Sequence, residues 1–187
     1  SLDPESLNIE FVSISELSTA NNGTYGGIAT YGNFTFLSDM QTGGGGTAKG
    51  IVRYDHDSVS AVRFSETTGF QDLTIGLDGL LYGLQENSPG YRIQVFDPQS
   101  LEQVRTFQLD FTDHRGIAVD EDGSLFAATW GGEIRHYDSD GGLLNSVAAP
   151  VNNLADIDIR ADGKIAVGSS SGDGFVLLTD TSLSSRS

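Results

Sequence analysis

Short stretches of alternating apolar and polar residues recur along the chain, and four of them share one form. They are the segments 27–39, 72–84, 116–129 and 156–169, and each reads as a strand, a polar turn and a second strand. Three of the turns carry an Asp-Gly pair and the first carries Gly-Asn; the pairs are Asp78-Gly79, Asp122-Gly123, Asp162-Gly163 and Gly32-Asn33. Glycine can take the positive φ that a tight hairpin turn requires. The pattern therefore predicts a β-hairpin in each of the four segments.

A third strand-like run follows each hairpin and ends in aspartate. These residues, Asp55, Asp97, Asp138 and Asp180, are spaced 42, 41 and 42 residues apart. A fourth strand-like run comes after the first three of them, at 58–66, 101–109 and 143–149. The fourth repeat has no such run before Ser187, and we expect the strand-like residues 8–17 to complete it from the N-terminal side.

Four strands in a repeat of about 42 residues are typical of a β-propeller blade. The sequence therefore predicts an all-β fold, a single β-propeller domain of about four four-stranded blades. The predicted blades are 25–69, 70–113, 114–152 and 153–187, with residues 8–17 as the closing strand. The alternative is that the chain is half, or another fragment, of a larger propeller.

Apolar residues of the first two strands in each repeat are the predicted core. On the first strands these are Ile28, Leu73, Ile75, Ile117, Val119, Ile157 and Ile159, and on the second strands Phe36, Leu81, Leu125 and Ile165.

The composition narrows the classes of partner. A formal charge of −16 repels phosphate backbones and anionic lipids, so we expect neither a nucleic-acid nor a membrane partner. The chain has no cysteine, which excludes disulfides and thiolate chemistry. We expect a protein or glycan partner, an extracytoplasmic or secreted location, and a homodimer if the chain is a half-ring.

Two of the repeats also carry a family resemblance. The strings GIAVDEDGSLFAATWGGEIRHYD, from Gly116, and DIDIRADGKIAVGS, from Asp156, resemble blades of the NHL, streptogramin-lyase and SMP-30/gluconolactonase-like propellers. That superfamily includes lactonases, lyases and binding modules, so the resemblance implies the fold more than one activity.

The resemblance also implies where a divalent metal would bind, just before the glycine of the innermost strands. The matching residues here are Gly26, Gln71, Arg115 and Ala155, none of which is a carboxylate. Asp72 and Asp156, one position later, are the substitutes that the chain offers. We therefore expect no cofactor, with calcium at Asp72 and Asp156 as the alternative.

In a propeller, the loops that enter the first strands meet on one face around the channel. The candidate ligand-binding residues on this face are Tyr25, Gln71, Asp72, His114, Arg115, Trp130, Asn152, Asn153 and Asp156. His114 and Arg115 are the catalytic candidates, since they could pair a general base with a cation that stabilises negative charge. Adjacent residues point to opposite faces of a strand, which counts against that pairing. Trp130 could stack on a sugar ring.

Three functional hypotheses follow. The first is a noncatalytic propeller that binds a ligand or a protein through its top-face loops. The second is an enzyme of the lyase or lactonase kind with a degenerate or absent metal site. The third is a structural propeller fragment with no activity alone.

Overall fold

The computed structural model describes residues 25–39, 49–66, 69–87, 90–110, 113–160, 162–170, 175–180 and 183 of the chain. These residues form fifteen β-strands in four antiparallel sheets and no helix. Blade 1 contains β1 (Tyr25–Tyr31), β2 (Phe34–Asp39), β3 (Lys49–Asp55) and β4 (Ser60–Glu66). Blade 2 contains β5 (Phe70–Ile75), β6 (Leu81–Asn87), β7 (Gly90–Phe96) and β8 (Gln103–Leu109). Blade 3 contains β9 (His114–Val119), β10 (Leu125–Thr129), β11 (Glu133–Tyr137) and β12 (Leu143–Ala148), and blade 4 contains β13 (Leu154–Ile159), β14 (Lys164–Ser169) and β15 (Phe175–Asp180).

Each sheet is a simple meander in which neighbours in sequence are neighbours in space. This order confirms the predicted all-β propeller of about four blades. Blade 4 has three strands among the described residues. The predicted closing strand, residues 8–17, lies outside the described residues. No helix long and apolar enough to cross a membrane occurs within the described ranges.

The first strand of every blade is the inner strand, and consecutive inner strands pack together. β1 packs on β5, β5 on β9, and β9 on β13. In the described part of the chain, β1 and β13 do not pack on each other in this way. Among the described residues, the four blades therefore form an arc whose two ends, blade 4 and blade 1, do not pack on each other.

The core lies between blades, and one inner-strand position shows how it is built. Leu73, Ile117 and Ile157 face the preceding blade, and each is at most 4% exposed. Ile28 holds the same position in blade 1 and is 65% exposed. Its predicted place in the core is wrong, because no described blade precedes blade 1.

The other predicted core residues are buried or partly buried. Phe36, Leu81, Leu125 and Ile165, on the second strands, are fully buried as predicted. Val119 is also buried, whereas Ile75 and Ile159 are only partly so.

Each inner strand begins with an irregularity in its pairing to the second strand. The register shifts fall between Tyr25 and Ile28, between Phe70 and Asp72, between His114 and Gly116, and between Leu154 and Asp156. The residues inside them are Gly26, Gly27, Gln71, Arg115 and Ala155. A β-bulge redirects the side chains beside it. Irregular backbone therefore occurs at the same place, the start of the inner strand, in all four blades.

Candidate functional site

A cavity of about 400 Å³ lies along the inner strands of all four blades. Its lining consists of Gly26, Gly27, Ile28, Gln71, Asp72, Leu73, Thr74, Arg115, Ile117, Ala155, Asp156, Ile157 and Asp158. The bulged residues and the residues that follow them therefore form its wall. Three carboxylates, one guanidinium, an amide and a hydroxyl make the wall mainly polar.

Asp72 is the most constrained carboxylate in this wall. Its Oδ1 accepts the N–H of Leu73 at 2.8 Å, and its Oδ2 accepts the N–H of Ile117 from blade 3, also at 2.8 Å. Burial raises the pKa of Asp72 to about 7, and the nearby charge of Asp156 adds to the rise against the two N–H bonds. Asp72 thus links two blades and exchanges a proton near neutral pH.

Two glycines allow the inner strands to approach these carboxylates. A Cβ on Gly27 would lie 2.1 Å from the backbone nitrogen of Leu73 and 2.6 Å from Oδ1 of Asp72. A Cβ on Gly116 would lie 2.7 Å from Cα of Asp156. Real Cβ atoms do not come this close, so both positions exclude a side chain.

Asp156 and Asp158 lie on β13 at the open end of the arc, and both are exposed. Oδ1 of Asp156 accepts the N–H of Ile157 at 2.9 Å, and Oδ1 of Asp158 accepts the N–H of Ile159 at 2.9 Å. Their contacts are local, so both carboxylates keep acceptor capacity toward the cavity.

Arg115 is held at the edge of the cavity by two neighbours. Its Nη2 lies 3.1 Å from Oδ1 of Asp113, and its guanidinium lies 5.2 Å from the centroid of the Trp130 ring. Trp130 is 43% exposed, and its backbone N–H donates to the Asp113 carbonyl at 3.0 Å. The three residues therefore place a cation and an aromatic surface side by side.

His114 lies on the opposite side of β9 from this group. It is fully buried, with Nε2 3.0 Å from the Tyr137 hydroxyl and its ring against those of Tyr91 and Tyr137. The Tyr137 hydroxyl in turn donates to Asp110 at 3.0 Å. The structure does not bring the predicted catalytic pair, His114 and Arg115, to one point, because consecutive strand residues face opposite ways.

The other predicted residues divide between the cavity and its surroundings. Gln71 lines the cavity, and its Nε2 donates to the Tyr91 hydroxyl at 3.2 Å. Asn153 has a positive φ of 57° and donates its N–H to the Trp130 carbonyl at 2.8 Å, while the carbonyl of Asn152 accepts from Ser169 at 2.8 Å. These two residues support the Trp130 loop and do not line the cavity. Tyr25 begins β1, and its side chain lies outside the described part.

The residues present do not fit the divalent metal that the resemblance implies. The four matching positions hold Gly26, Gln71, Arg115 and Ala155, which together offer one amide oxygen and a repelling cation. The substitute Asp72 already accepts two N–H groups and has a raised pKa. Within the described ranges, no group of three or more His, Cys, Asp or Glu side chains is placed to hold a metal ion.

Two polar wall residues, Thr74 and Asp158, and the exposed Ile28 are not among the site residues predicted from the sequence. Alternation along a strand was the available signal, because residues two apart share a face. Asp72 and Asp156 therefore point to Thr74 and Asp158. Ile28 had no such signal, because the sequence predicts it as a core residue like Ile117 and Ile157.

The fold and the cavity define a β-propeller with a polar site on its inner strands. A family model described as the SMP-30/Gluconolactonase/LRE-like region matches residues 16–164, and the chain belongs to this family. No curated protein matches the chain.

Solved structures share the fold at low sequence identity. The computationally designed Ika4 protein is 13% identical with a TM-score of 0.61, and the match covers 91% of this chain and 98% of that one. A protein of unknown function from Bacteroides caccae is 14% identical (TM-score 0.63; 87% and 63% covered). Apo AztD from Citrobacter koseri is 20% identical (TM-score 0.55; 87% and 46% covered). The chain thus spans 63% and 46% of the lengths of the two natural proteins.

Proposed function

We propose that this chain is a noncatalytic binding propeller whose cavity takes a small, neutral, polyhydroxylated ligand of the sugar class. The observation that carries the proposal is the mixture of acceptors and donors in one wall. Asp156 and Asp158 accept hydrogen bonds, whereas Arg115 donates them. A sugar hydroxyl both donates and accepts, so adjacent hydroxyls match such a wall.

Charge and apolar surface narrow the ligand further. The formal charge of −16 disfavours an anionic ligand. Ile28 in the wall and the exposed Trp130 ring beside Arg115 supply surface for the C–H face of a sugar. His114 contributes nothing to this surface, because it is buried against Tyr137.

A lactonase-like enzyme is the second candidate, and Asp72 is the observation in its favour. A carboxyl with a pKa of about 7 exchanges a proton at the pH at which a general acid or base works best. The family to which the chain belongs includes propellers with lactonase activity. In this proposal Asp72 moves the proton and Arg115 stabilises the developing negative charge.

Two measurements on the same preparation separate the candidates. Titration with D-glucose and xylitol, followed by amide NMR, should shift the signals of Leu73, Ile117 and Asp158, whereas D-gluconate should not. Hydrolysis of D-glucono-δ-lactone, with and without added calcium or zinc, should proceed at the rate of the buffer blank. Asp158→Asn should weaken the sugar response, while the matched variant Asp162→Asn, on an exposed turn, should leave it unchanged.

The opposite results would overturn the binding proposal. Absence of a glucose or xylitol response would remove the sugar ligand. Lactone hydrolysis above the blank that is lost in Asp72→Asn would establish the enzyme instead.

A further inference from the structure

One position at the start of each inner strand alternates between glycine and aspartate around the arc. The residues are Gly27, Asp72, Gly116 and Asp156, each followed by an apolar residue: Ile28, Leu73, Ile117 and Ile157. The pairings of these apolar residues with the second strands are equivalent in all four blades. The alternation matters because the N–H of the apolar residue points away from the second strand and needs another acceptor.

In the three blades that follow another blade, an aspartate supplies this acceptor. Leu73 and Ile157 donate to the aspartate that precedes each of them, at 2.8 and 2.9 Å. Ile117 follows a glycine and donates at 2.8 Å to Asp72 of the preceding blade. Where glycine precedes the apolar residue, as in blade 3, the acceptor therefore comes from an aspartate of the preceding blade.

In blade 1 the residue before the apolar Ile28 is Gly27, and no described blade precedes this blade. The two-residue turn at Gly32 and Asn33 makes Tyr31 and Phe34 a hydrogen-bonded pair, and alternation then directs the N–H of Ile28 out of the β1–β2 ladder. Ile28 is 65% exposed, although its equivalent Ile117 is 1% exposed. Blade 1 thus presents an apolar side chain and an outward N–H, the two features that the preceding blade covers in blade 3.

Blade 4 presents the complementary half of this contact. Asp156 is the equivalent of Asp72, and among the described residues its carboxylate accepts only the N–H of Ile157. Asp72 uses its second oxygen to bind the next blade, and Asp156 has the same oxygen available. In the described residues, β13 and β1 of one chain do not pack on each other. Blade 4 and blade 1 therefore have complementary faces that do not meet within one chain.

We propose that two copies of this chain assemble head to tail, with blade 4 of each copy packed on blade 1 of the other. Asp156 of one copy then accepts the N–H of Ile28 of its partner, as Asp72 accepts that of Ile117 within the chain. Two four-blade arcs make an eight-bladed ring, and the chain spans 63% and 46% of two natural proteins of similar fold. The second copy continues an interface that the chain already uses three times. It covers Ile28 and occupies Asp156, so in the dimer these two wall residues are not available to a sugar.

This contact is weaker than those inside the chain. The faces that blades 1 to 3 turn to the next blade carry Ala29 with Phe36, Thr74 with Tyr82, and Ala118 with Phe126. Blade 4 has Asp158 and Ala166 there, so it buries less apolar surface and brings carboxylates to the contact. The assembly is therefore a reversible dimer that high salt favours, because salt screens repulsion between two chains of charge −16.

Sedimentation equilibrium of the 187-residue chain across a range of concentrations at high salt tests the proposal. The mass should rise from 19.8 kDa to twice that value. Ile28→Asp should raise the dissociation constant by about tenfold or more, and Asp156→Ala by about fivefold. The matched control Val62→Asp, at an exposed apolar residue of β4, should leave it unchanged.

Three outcomes would overturn the proposal. They are a mass that stays at 19.8 kDa at every concentration, a dimer weakened by Ile28→Asp but not by Asp156→Ala, and equal weakening by Val62→Asp. The second outcome means that two blade 1 faces pair instead. Thermal melts of the variants at the lowest concentration should match the unsubstituted chain, and Ile28→Ser replaces Ile28→Asp if that variant does not fold.

Discussion

Blade 3 and blade 1 carry the same sequence signal at the start of their inner strands, and the structure treats the two differently. Gly116-Ile117 of blade 3 lies between two other blades, whereas in the described part of the chain Gly27-Ile28 of blade 1 packs on blade 2 and on no preceding blade. The first isoleucine is buried and hydrogen-bonded to Asp72, whereas the second is exposed. Each repeat thus has an apolar residue that can pack on a preceding blade, and the position of the repeat in the arc decides whether that residue is buried.

The largest expected effect separates these two isoleucines. Ile117→Ala should lower the free energy of unfolding by about 2–5 kcal/mol, because it leaves a cavity between blades 2 and 3. Ile28→Ala should lower it by less than about 0.5 kcal/mol in dilute solution, where no partner covers the side chain. Urea unfolding at low protein concentration measures both. Equal losses in the two variants would show that blade 1 is covered as blade 3 is.

Asp72 makes the contact of blade 3 sensitive to pH. Its pKa is raised from 3.8 to about 7, so between these pH values the folded chain retains a proton that the unfolded chain has lost. Stability from this group therefore falls as pH rises through that window, by up to about 4 kcal/mol, and is level above it. Asp156, whose charge contributes to the raised pKa, is the neighbouring carboxylate.

Urea unfolding between pH 4 and pH 8 tests this sign. The stability of the unsubstituted chain minus that of Asp72→Asn should decrease with rising pH. Asp122→Asn is the control, since hydrogen bonds from Ser124 lower the pKa of Asp122 from 3.8 and its contribution is lost only below that pH, so its difference should stay level between pH 4 and pH 8. A flat difference for Asp72→Asn would contradict the raised pKa.

Gly116 of blade 3 and Gly27 of blade 1 lie against the inner strand of the next blade, whereas Gly168 of blade 4 has no described atom near its Cβ position. Gly116→Ala and Gly27→Ala should each cost about 1–3 kcal/mol, because the added Cβ would overlap the inner strand of the next blade. Gly168→Ala, on β14, should change stability by less than about 1 kcal/mol, since no atom of the described residues lies within 4 Å of its Cβ position. Thermal melts compare the three. A tolerated Gly27→Ala would mean that blades 1 and 2 are not so close.

The smallest expected effect concerns the edge of the cavity. Trp130→Ala removes the ring that faces Arg115 and should cost about 0.5–1 kcal/mol, the usual size of an exposed cation–π contact. Trp130→Phe, which keeps an aromatic face, should recover part of that loss. Both variants should keep the near-native circular dichroism of the unsubstituted chain, and a larger loss would make Trp130 part of the core.

Much of the blade architecture could be predicted, because local signals build it. Asp-Gly turns and alternating apolar residues specify the hairpins, and Phe36, Leu81, Leu125 and Ile165 are buried as predicted. Of the predicted site, Gln71, Asp72, Arg115 and Asp156 line the cavity. His114 does not, since it faces the other side of β9 and packs against Tyr137.

The sequence by itself determined the repeat, the antiparallel hairpins, the glycine and aspartate alternation and the negative charge, because these depend on residue type and local spacing. Only the tertiary structure decided that Asp72 binds across two blades, that His114 faces Tyr137, and that Ile28 is exposed although Ile117 is buried. Those outcomes depend on which blades are neighbours, and neighbours are chosen by packing over distances that no local pattern records.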